Sequence, residues 1–345
     1  MRTPLLVVGD ALLDIDLCGA VERLAPDAPV PVVDGLQRLP RPGGAALAAC
    51  LAAADGRRVT LVTALGTGAS ADTLRRLLAG RVRLVEIPLK GTLCSKTRVL
   101  SGEHPLLRLD DGDGRADGAG PEALAEIAEA SAILVSDYGR GTAEVLREPL
   151  AEAAARRPMV WDPHPRGGPP VAGTRLATPS AAEALRFADG DHTDEGDLAG
   201  ELVRRWHAAS VAVTLGDRGA VLSCRGEPLL VPAPTRATGD PCAAGDRLAA
   251  TAAGLLADGA LPETAVRGGV AAATDFVVRG GARAFQRQGS EPGLDHRPEQ
   301  PASPFELAAG VRAGGGRWSP PAAASTSSTP ATSPCWRRPG RPGTA

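Results

Sequence analysis

Thr238-Gly-Asp-Pro-Cys-Ala-Ala-Gly-Asp246 runs straight into Arg247-Leu-Ala-Ala-Thr-Ala-Ala-Gly254, and the junction between the two halves decides how the chain is read. The first half is small and turn-prone. The second is an alanine-rich helix with Leu248, Ala252, Leu255 and Leu256 on one face. A helix starting here leaves the backbone N–H groups of Ala243 to Asp246 free, and the helix dipole adds partial positive charge. The junction is therefore an anion site. Asp246 stands inside it, where a carboxylate either caps the helix or acts as a base beside a phosphate.

Short apolar runs alternate with helical stretches over the chain on the N-terminal side of this junction. Leu5-Leu6-Val7-Val8, Val59-Thr60-Leu61-Val62, Ala132-Ile133-Leu134-Val135, Met159-Val160-Trp161 and Val211-Ala212-Val213-Thr214-Leu215 read as buried strands. Continuous apolar strands separated by helices predict a parallel sheet covered on both faces, an α/β fold. Several strands end in polar residues, at Gly9-Asp10, Ser136-Asp137-Tyr138, Asp162-Pro163 and Gly216-Asp217. Open α/β sheets bind ligands at that edge. Val30-Pro-Val-Val33, Thr97-Arg98-Val99-Leu100 and Leu107-Arg108-Leu109 are short and alternating, which predicts a small β-sheet outside the main layer.

Composition removes several classes of function. The 345 residues carry a net charge of −2, so a concentrated basic surface for nucleic acid is not expected. No apolar run is long enough to span a bilayer, and Met1-Arg2-Thr3-Pro4 leads into a strand without an export signal, so a cytoplasmic protein off the membrane is expected. Six scattered cysteines without C-x-x-C spacing read as reduced thiols. No G-x-x-x-x-G-K-[ST] loop is present. Gly66-Thr-Gly68, with Glu86 further on, half-fits a dinucleotide fingerprint but reads better as a plain βα turn, which leaves a nicotinamide enzyme as a weak reading.

The ordered set of motifs from Leu5 to Phe285 resembles the PfkB (ribokinase-like) carbohydrate kinase family. Within that family it is most similar to the heptose 7-phosphate kinase branch, whose members carry a second, adenylyltransferase domain. The set comprises Val8-Gly9-Asp10 with Leu13-Asp14, Val21 to Val33, Arg41-Pro-Gly-Gly-Ala-Ala46, Lys96-Thr-Arg98 and Leu107-Arg-Leu-Asp110. Ser136-Asp-Tyr-Gly-Arg-Gly141, Asp162-Pro163, Thr178-Pro179 with Glu183, Val213-Thr-Leu-Gly216 with Gly219, and Ala244-Gly-Asp246 complete it.

The resemblance implies a ribokinase-like three-layer fold over 1–285, with a mainly parallel central sheet and a β lid near 15–35 and 94–110. It implies transfer of phosphate from ATP with Mg2+, and it allows a monovalent cation such as K+. A sugar phosphate is the implied acceptor, D-glycero-β-D-manno-heptose 7-phosphate becoming the 1,7-bisphosphate, in a protein that could dimerise through the lid. Asp246 would be the general base, with Ala243, Ala244 and Gly245 forming the anion hole. Asp14, Gly43 and Gly44 would line the sugar pocket, and Lys96, Arg98 and Arg108 would face the substrate's own phosphate. Thr214, Gly216, Gly219, Ser180 and Asp240 would border ATP, and Glu183 would hold magnesium-bound waters. Asp137 and Tyr138 fit substrate or structural roles equally.

Some positions depart from the family pattern. Ala243 stands where G-A-G-D begins with glycine, Cys242 replaces a threonine, Leu47 an asparagine, His164 a lysine, and Ser180 opens the N-x-x-E motif. These motivate two alternatives: a catalytically weakened or silent domain kept for sugar-phosphate binding, and a kinase for another sugar.

After Phe285 the character changes to a proline-rich linker, 286–316, with one short amphipathic helix over Ser303 to Ala313. Residues 317–345 have the composition of a disordered tail. Lysine occurs only at Lys90 and Lys96 against a large excess of arginine, the mark of a G+C-rich gene. Back-translating Arg317 to Thr332 with G- or C-biased codons and reading two bases on gives V-V-A-T-G-G-C-F-D-V-L-H-A-G-H. That string resembles the opening of the branch's adenylyltransferase domain. The tail therefore reads as out-of-frame translation, with the slip near Gly314-Gly-Gly-Arg317.

Overall fold

In a computed structural model the described residues are 2–288, other than 103, 191, 193 and 225. The expected linker helix and the segment after residue 316 lie outside them. The main sheet has nine strands, in the order Leu229–Pro232, Gly219–Ser223, Val211–Thr214, Leu176–Ala177, Met159–Asp162, Ile133–Ser136, Leu5–Gly9, Val59–Ala64 and Arg83–Ile87. Seven run parallel, and the first two named form an antiparallel hairpin at one edge. The five strands read from the sequence lie in this sheet. Leu176–Ala177, two residues long, carries too little pattern to be seen in advance.

Apolar runs form strands here because both faces are buried. Leu5 and Val7 enter one core while Leu6 and Val8 enter the other, and Leu134 is likewise opposed to Ile133 and Val135. The first core packs the sheet against the helices Ala45–Ala54, Ala69–Leu78, Ala244–Ala257 and Pro262–Val278. The second packs it against Pro121–Glu129, Thr142–Val145 and Arg147–Ala154. A third, smaller core seats Glu195–Trp206 on Val211 and Val213. The result is the expected three-layer α/β arrangement.

A separate four-stranded sheet forms the lid, in the order Pro31–Gly44, Ala11–Leu24, Ser95–Ser101, His104–Asp111. Its first two strands are fourteen residues each, far longer than the fragments legible in the sequence. They begin or end inside the core and run out into solvent, with Ala11 to Asp16 buried and Glu22 to Leu24 exposed, so no single period marks them. Pro40 and Pro42 also argue against a strand. They are tolerated because Pro31–Gly44 is an edge strand, where a missing donor breaks no ladder on the outer side.

Candidate active site

The helix Ala244–Ala257 begins where the sequence placed it, and Leu248, Ala252 and Leu256 face the core while Leu255 is only half-buried. Its cap, Ala243, has φ +68°, a left-handed backbone that an L-residue bearing a Cβ adopts at a cost of roughly 1–2 kcal/mol. One of the four N–H groups expected to be free is used. Ala244 N–H donates to Pro241 O at 3.0 Å, closing a turn into the helix. Gly245 faces open space, with nothing within 4 Å of where a Cβ would stand. Asp240 builds the same turn by accepting from Cys242 N–H at 3.0 Å.

Asp246 is buried at 5 % exposure. Burial pushes its carboxyl up to about 7, against a hydrogen bond from Tyr138 that lowers it, while Asp14 raises it further. A carboxyl so placed exchanges its proton near neutral pH, as a general base requires. Tyr138 Oη lies 2.8 Å from Asp246 Oδ1 and 2.9 Å from Oδ2. Asp10 holds the loop that carries this tyrosine: its carboxylate accepts from the N–H groups of Tyr138 (3.0 Å), Arg140 (2.8 Å) and Thr142 (3.0 Å). Asp137 has a local role, accepting from Gly139 N–H at 2.7 Å, and burial pushes its carboxyl up to about 7.

The lid closes one side of the site. Asp14 and Lys96 are register partners on adjacent parallel strands. A Cβ on Gly43 would stand 2.9 Å from Asp14 Cγ, so glycine is needed for this approach. Gly44 turns the chain at φ +57° into the buried helix Ala45–Ala54. In that helix Leu47 is 1 % exposed and packs in the core, so it offers a sugar nothing. Lys96 Nζ sits 5.1 Å from the Tyr138 ring centroid, and burial lowers the pKa of its ammonium. On the ring's other contact, His164 stacks at 6.3 Å. Arg98 donates to Cys242 Sγ at 2.8 Å. Arg108 is held by both oxygens of Asp110 on the exposed lid strand.

Beside these lies a charge cluster with no sequence signal. Asp16, almost wholly buried, pairs with Arg41 at 2.5 Å, Arg283 at 3.3 Å and Arg98 at 3.9 Å; Arg41 also reaches Asp14 at 3.7 Å. Arg41, Arg98, Arg283 and Lys96 gather around Asp14 and Asp16, with Asp240 also acting on Arg98 and Asp246 on Lys96. Arg283 comes from the helix Gly281–Gln288, far along the chain, so nothing local could announce the contact.

Ser180 and Thr214 meet at the carboxyl edge of the main sheet through a parallel bridge. Gly216 opens the 3-10 turn Gly216–Arg218 at φ +65° beside them. Gly219 is required by the hairpin: its φ is +102°, and a Cβ there would lie 2.1 Å from Val231 O. Ser180 and Glu183 form a capping box on the helix Ala181–Phe187, Ser180 Oγ donating to Glu183 Oε2 at 2.7 Å and accepting from Glu183 N–H. The S-x-x-E spacing could have revealed this cap in advance.

Among the described residues no three His, Cys, Asp or Glu side chains converge as metal ligands. Yet Asp162, pushed up by burial, is raised further by Asp246 and Glu183, and Glu183 in turn raises Asp246. This unbalanced negative charge suits a divalent cation held through its own waters, as Mg2+ is commonly held.

A buried carboxylate at a helix N-terminus, at the carboxyl edge of a parallel sheet and under a β lid, defines a ribokinase-like phosphotransferase class. The chain belongs to the pfkB family of carbohydrate kinases, whose model matches residues 2–288. It is 56% identical over 318 residues to "Bifunctional protein HldE" of Streptomyces coelicolor, covering 90% of this chain and 68% of that protein. It is 35% identical to the protein of the same name from Azorhizobium caulinodans, covering 88% and 67%. Among solved structures, Arabidopsis thaliana ribokinase complexed with ribose and ATP superposes with a TM-score of 0.63 at 20% identity, over 82% of this chain and 96% of that one. Phosphofructokinase-2 from Escherichia coli gives 0.63 at 19%, over 83% and 97%. No helix among the described residues is long and apolar enough to cross a membrane.

Proposed function

We propose that this carbohydrate kinase transfers the γ-phosphate of ATP to the anomeric hydroxyl of D-glycero-β-D-manno-heptose 7-phosphate, giving the 1,7-bisphosphate in the cytoplasm. The observation that carries a phosphorylated acceptor is the convergence of four cationic side chains, Arg41, Arg98, Arg283 and Lys96, around Asp14 and Asp16 beside Asp246. A neutral sugar has no use for so many cations gathered at one place. The similarity to the two HldE proteins supports a heptose phosphate as that acceptor.

In this reading Asp14 and the backbone at Gly43 and Gly44 orient the sugar, while Lys96 and Arg98, with Arg108 once freed from Asp110, receive its phosphate. Asp246 takes the hydroxyl proton as the oxygen attacks the γ-phosphorus. The N-terminus of the helix Ala244–Ala257, open above Gly245, faces the developing charge. Ser180, Thr214, Gly216 and Asp240 border ATP; Gly219 acts by shaping the hairpin. Mg2+, held through waters near Glu183 and Asp162, would neutralise phosphate charge.

ADP release measured over a panel of sugar phosphates, with the new phosphate located by NMR, tests this. Turnover is expected on heptose 7-phosphate and lost in Asp246→Asn; turnover confined to an unphosphorylated sugar would remove the reading. The second reading, a silent sugar-phosphate-binding domain, rests on the strained Ala243 and the core-bound Leu47. Tight binding of heptose 7-phosphate without ADP release would favour it.

Exposed Leu24, Val30, Leu36, Leu107 and Leu109 on the lid support pairing of two chains through that sheet. For the segment after residue 316 we retain the out-of-frame reading. Sequencing the gene across Gly314-Gly-Gly-Arg317 tests it: a one- or two-base change should restore an open second domain.

A further inference from the structure

Asp246 is not idle in the absence of a sugar, because the Tyr138 phenol stands within hydrogen-bonding distance of both its oxygens, at 2.8 and 2.9 Å. The phenol thus occupies the place that an acceptor hydroxyl would take on the base. Its position is set from three directions. Three N–H bonds to Asp10 fix the loop, His164 stacks on the ring, and the Lys96 ammonium lies over it at 5.1 Å. Two of these belong to the body of the protein. Lys96 alone belongs to the lid, where it also neighbours Asp14 in the sugar pocket.

We propose that Tyr138 is a positioning residue that guards Asp246, holding the base until a phosphorylated sugar draws Lys96 from the ring and the acceptor hydroxyl replaces the phenol. The inference rests on the assignment of Asp246 as base and of Lys96 as a phosphate contact. Its consequence is discrimination against water. Unguarded, Asp246 would accept a proton from water as the water oxygen attacks the γ-phosphorus and the bond to the bridging oxygen of ADP breaks, giving ADP and inorganic phosphate. With the single phenol proton shared between the two carboxylate oxygens, water must displace it to find a base. A hydrogen bond to a charged acceptor is strong enough for about a tenfold effect or more.

The variant Tyr138→Phe keeps the ring, its stacking on His164 and its contact with Lys96, and removes only the hydroxyl. It should raise the ratio of sugar-independent ATP hydrolysis to sugar-dependent turnover by about tenfold, and the double variant Tyr138→Phe/Asp246→Asn should lose that hydrolysis. An unchanged ratio in Tyr138→Phe overturns the proposal. Tyr138 is the only tyrosine of the chain, so protein labelled with carbon-13 at tyrosine Cζ gives a single resonance. Heptose 7-phosphate should shift that resonance, whereas inorganic phosphate or ATP alone should leave it in place; no shift on saturation with the sugar phosphate overturns the displacement step. The absolute rate of sugar-independent ATP hydrolysis, which should itself rise in Tyr138→Phe and whose failure to rise also overturns the proposal, needs no knowledge of the sugar. Guarding can therefore stand where heptose 7-phosphate fails as substrate, and can fail where that sugar is turned over.

Discussion

At the scale of single residues, the behaviour of Asp246 follows from where its proton sits. Burial raises its carboxyl from the usual carboxylate range to about 7, so kcat/KM should rise through an acid limb near neutrality. In Tyr138→Phe the loss of a lowering hydrogen bond should move that limb to higher pH. Because the folded state holds the proton more tightly than the unfolded one, this carboxyl favours folding most fully below pH 3.8. That contribution is lost as pH rises through about 7. Asp246→Asn should therefore be more stable than the parent protein at pH 8, on the order of a few kcal/mol, with the difference shrinking towards pH 5. Urea unfolding at the two pH values measures this, and kcat should fall roughly 100-fold or more. Ala243→Gly should relieve the left-handed backbone at φ +68°. The gain in the unfolded chain's freedom offsets part of that relief, leaving a net stabilisation of up to about 1 kcal/mol in the same assay.

At the scale of elements, the lid is tied to the body by charge as well as by its strands. Asp16 leaves the core on Ala11–Leu24 and meets Arg41 from Pro31–Gly44, Arg98 from Ser95–Ser101 and Arg283 from Gly281–Gln288. Removing the carboxylate in Asp16→Ala leaves Arg41, 2 % exposed, with a buried charge and only the longer contact to Asp14. A loss of about 3–5 kcal/mol is expected, read by denaturant unfolding. Arg283→Ala should cost much less, since its side chain is partly solvated, yet it should speed amide exchange in Ala11–Leu24 relative to the main sheet. Little of this was legible beforehand. The fragments Val30 to Val33 and Thr97 to Leu100 announced a small sheet, but its long strands change from core to solvent midway and so lose any one period. The S-x-x-E spacing of Ser180 and Glu183 is legible as a cap, and the same carboxylate is the one that the family resemblance places beside magnesium-bound waters.

At the scale of the whole molecule, the exposed leucines of the lid lie on three strands of one sheet, Ala11–Leu24, Pro31–Gly44 and His104–Asp111. If two chains pair there, Leu107→Asp should shift sedimentation towards the monomer, while the main sheet and its three cores remain folded by circular dichroism. A species unchanged in mass by that substitution would exclude the lid as the interface. The chain by itself determined five of the nine strands of the main sheet, because a run such as Leu5 to Val8 must bury both faces wherever it lies. It also determined the helix start that places Asp246 at an N-terminus, because Gly, Pro and Asp followed by alanines allow little else. Tertiary structure alone decided that Tyr138 lies against Asp246 and that Arg283 reaches Asp16. Those contacts join residues over a hundred positions apart, and such pairings arise from how the layers stack, which no local pattern of side chains encodes.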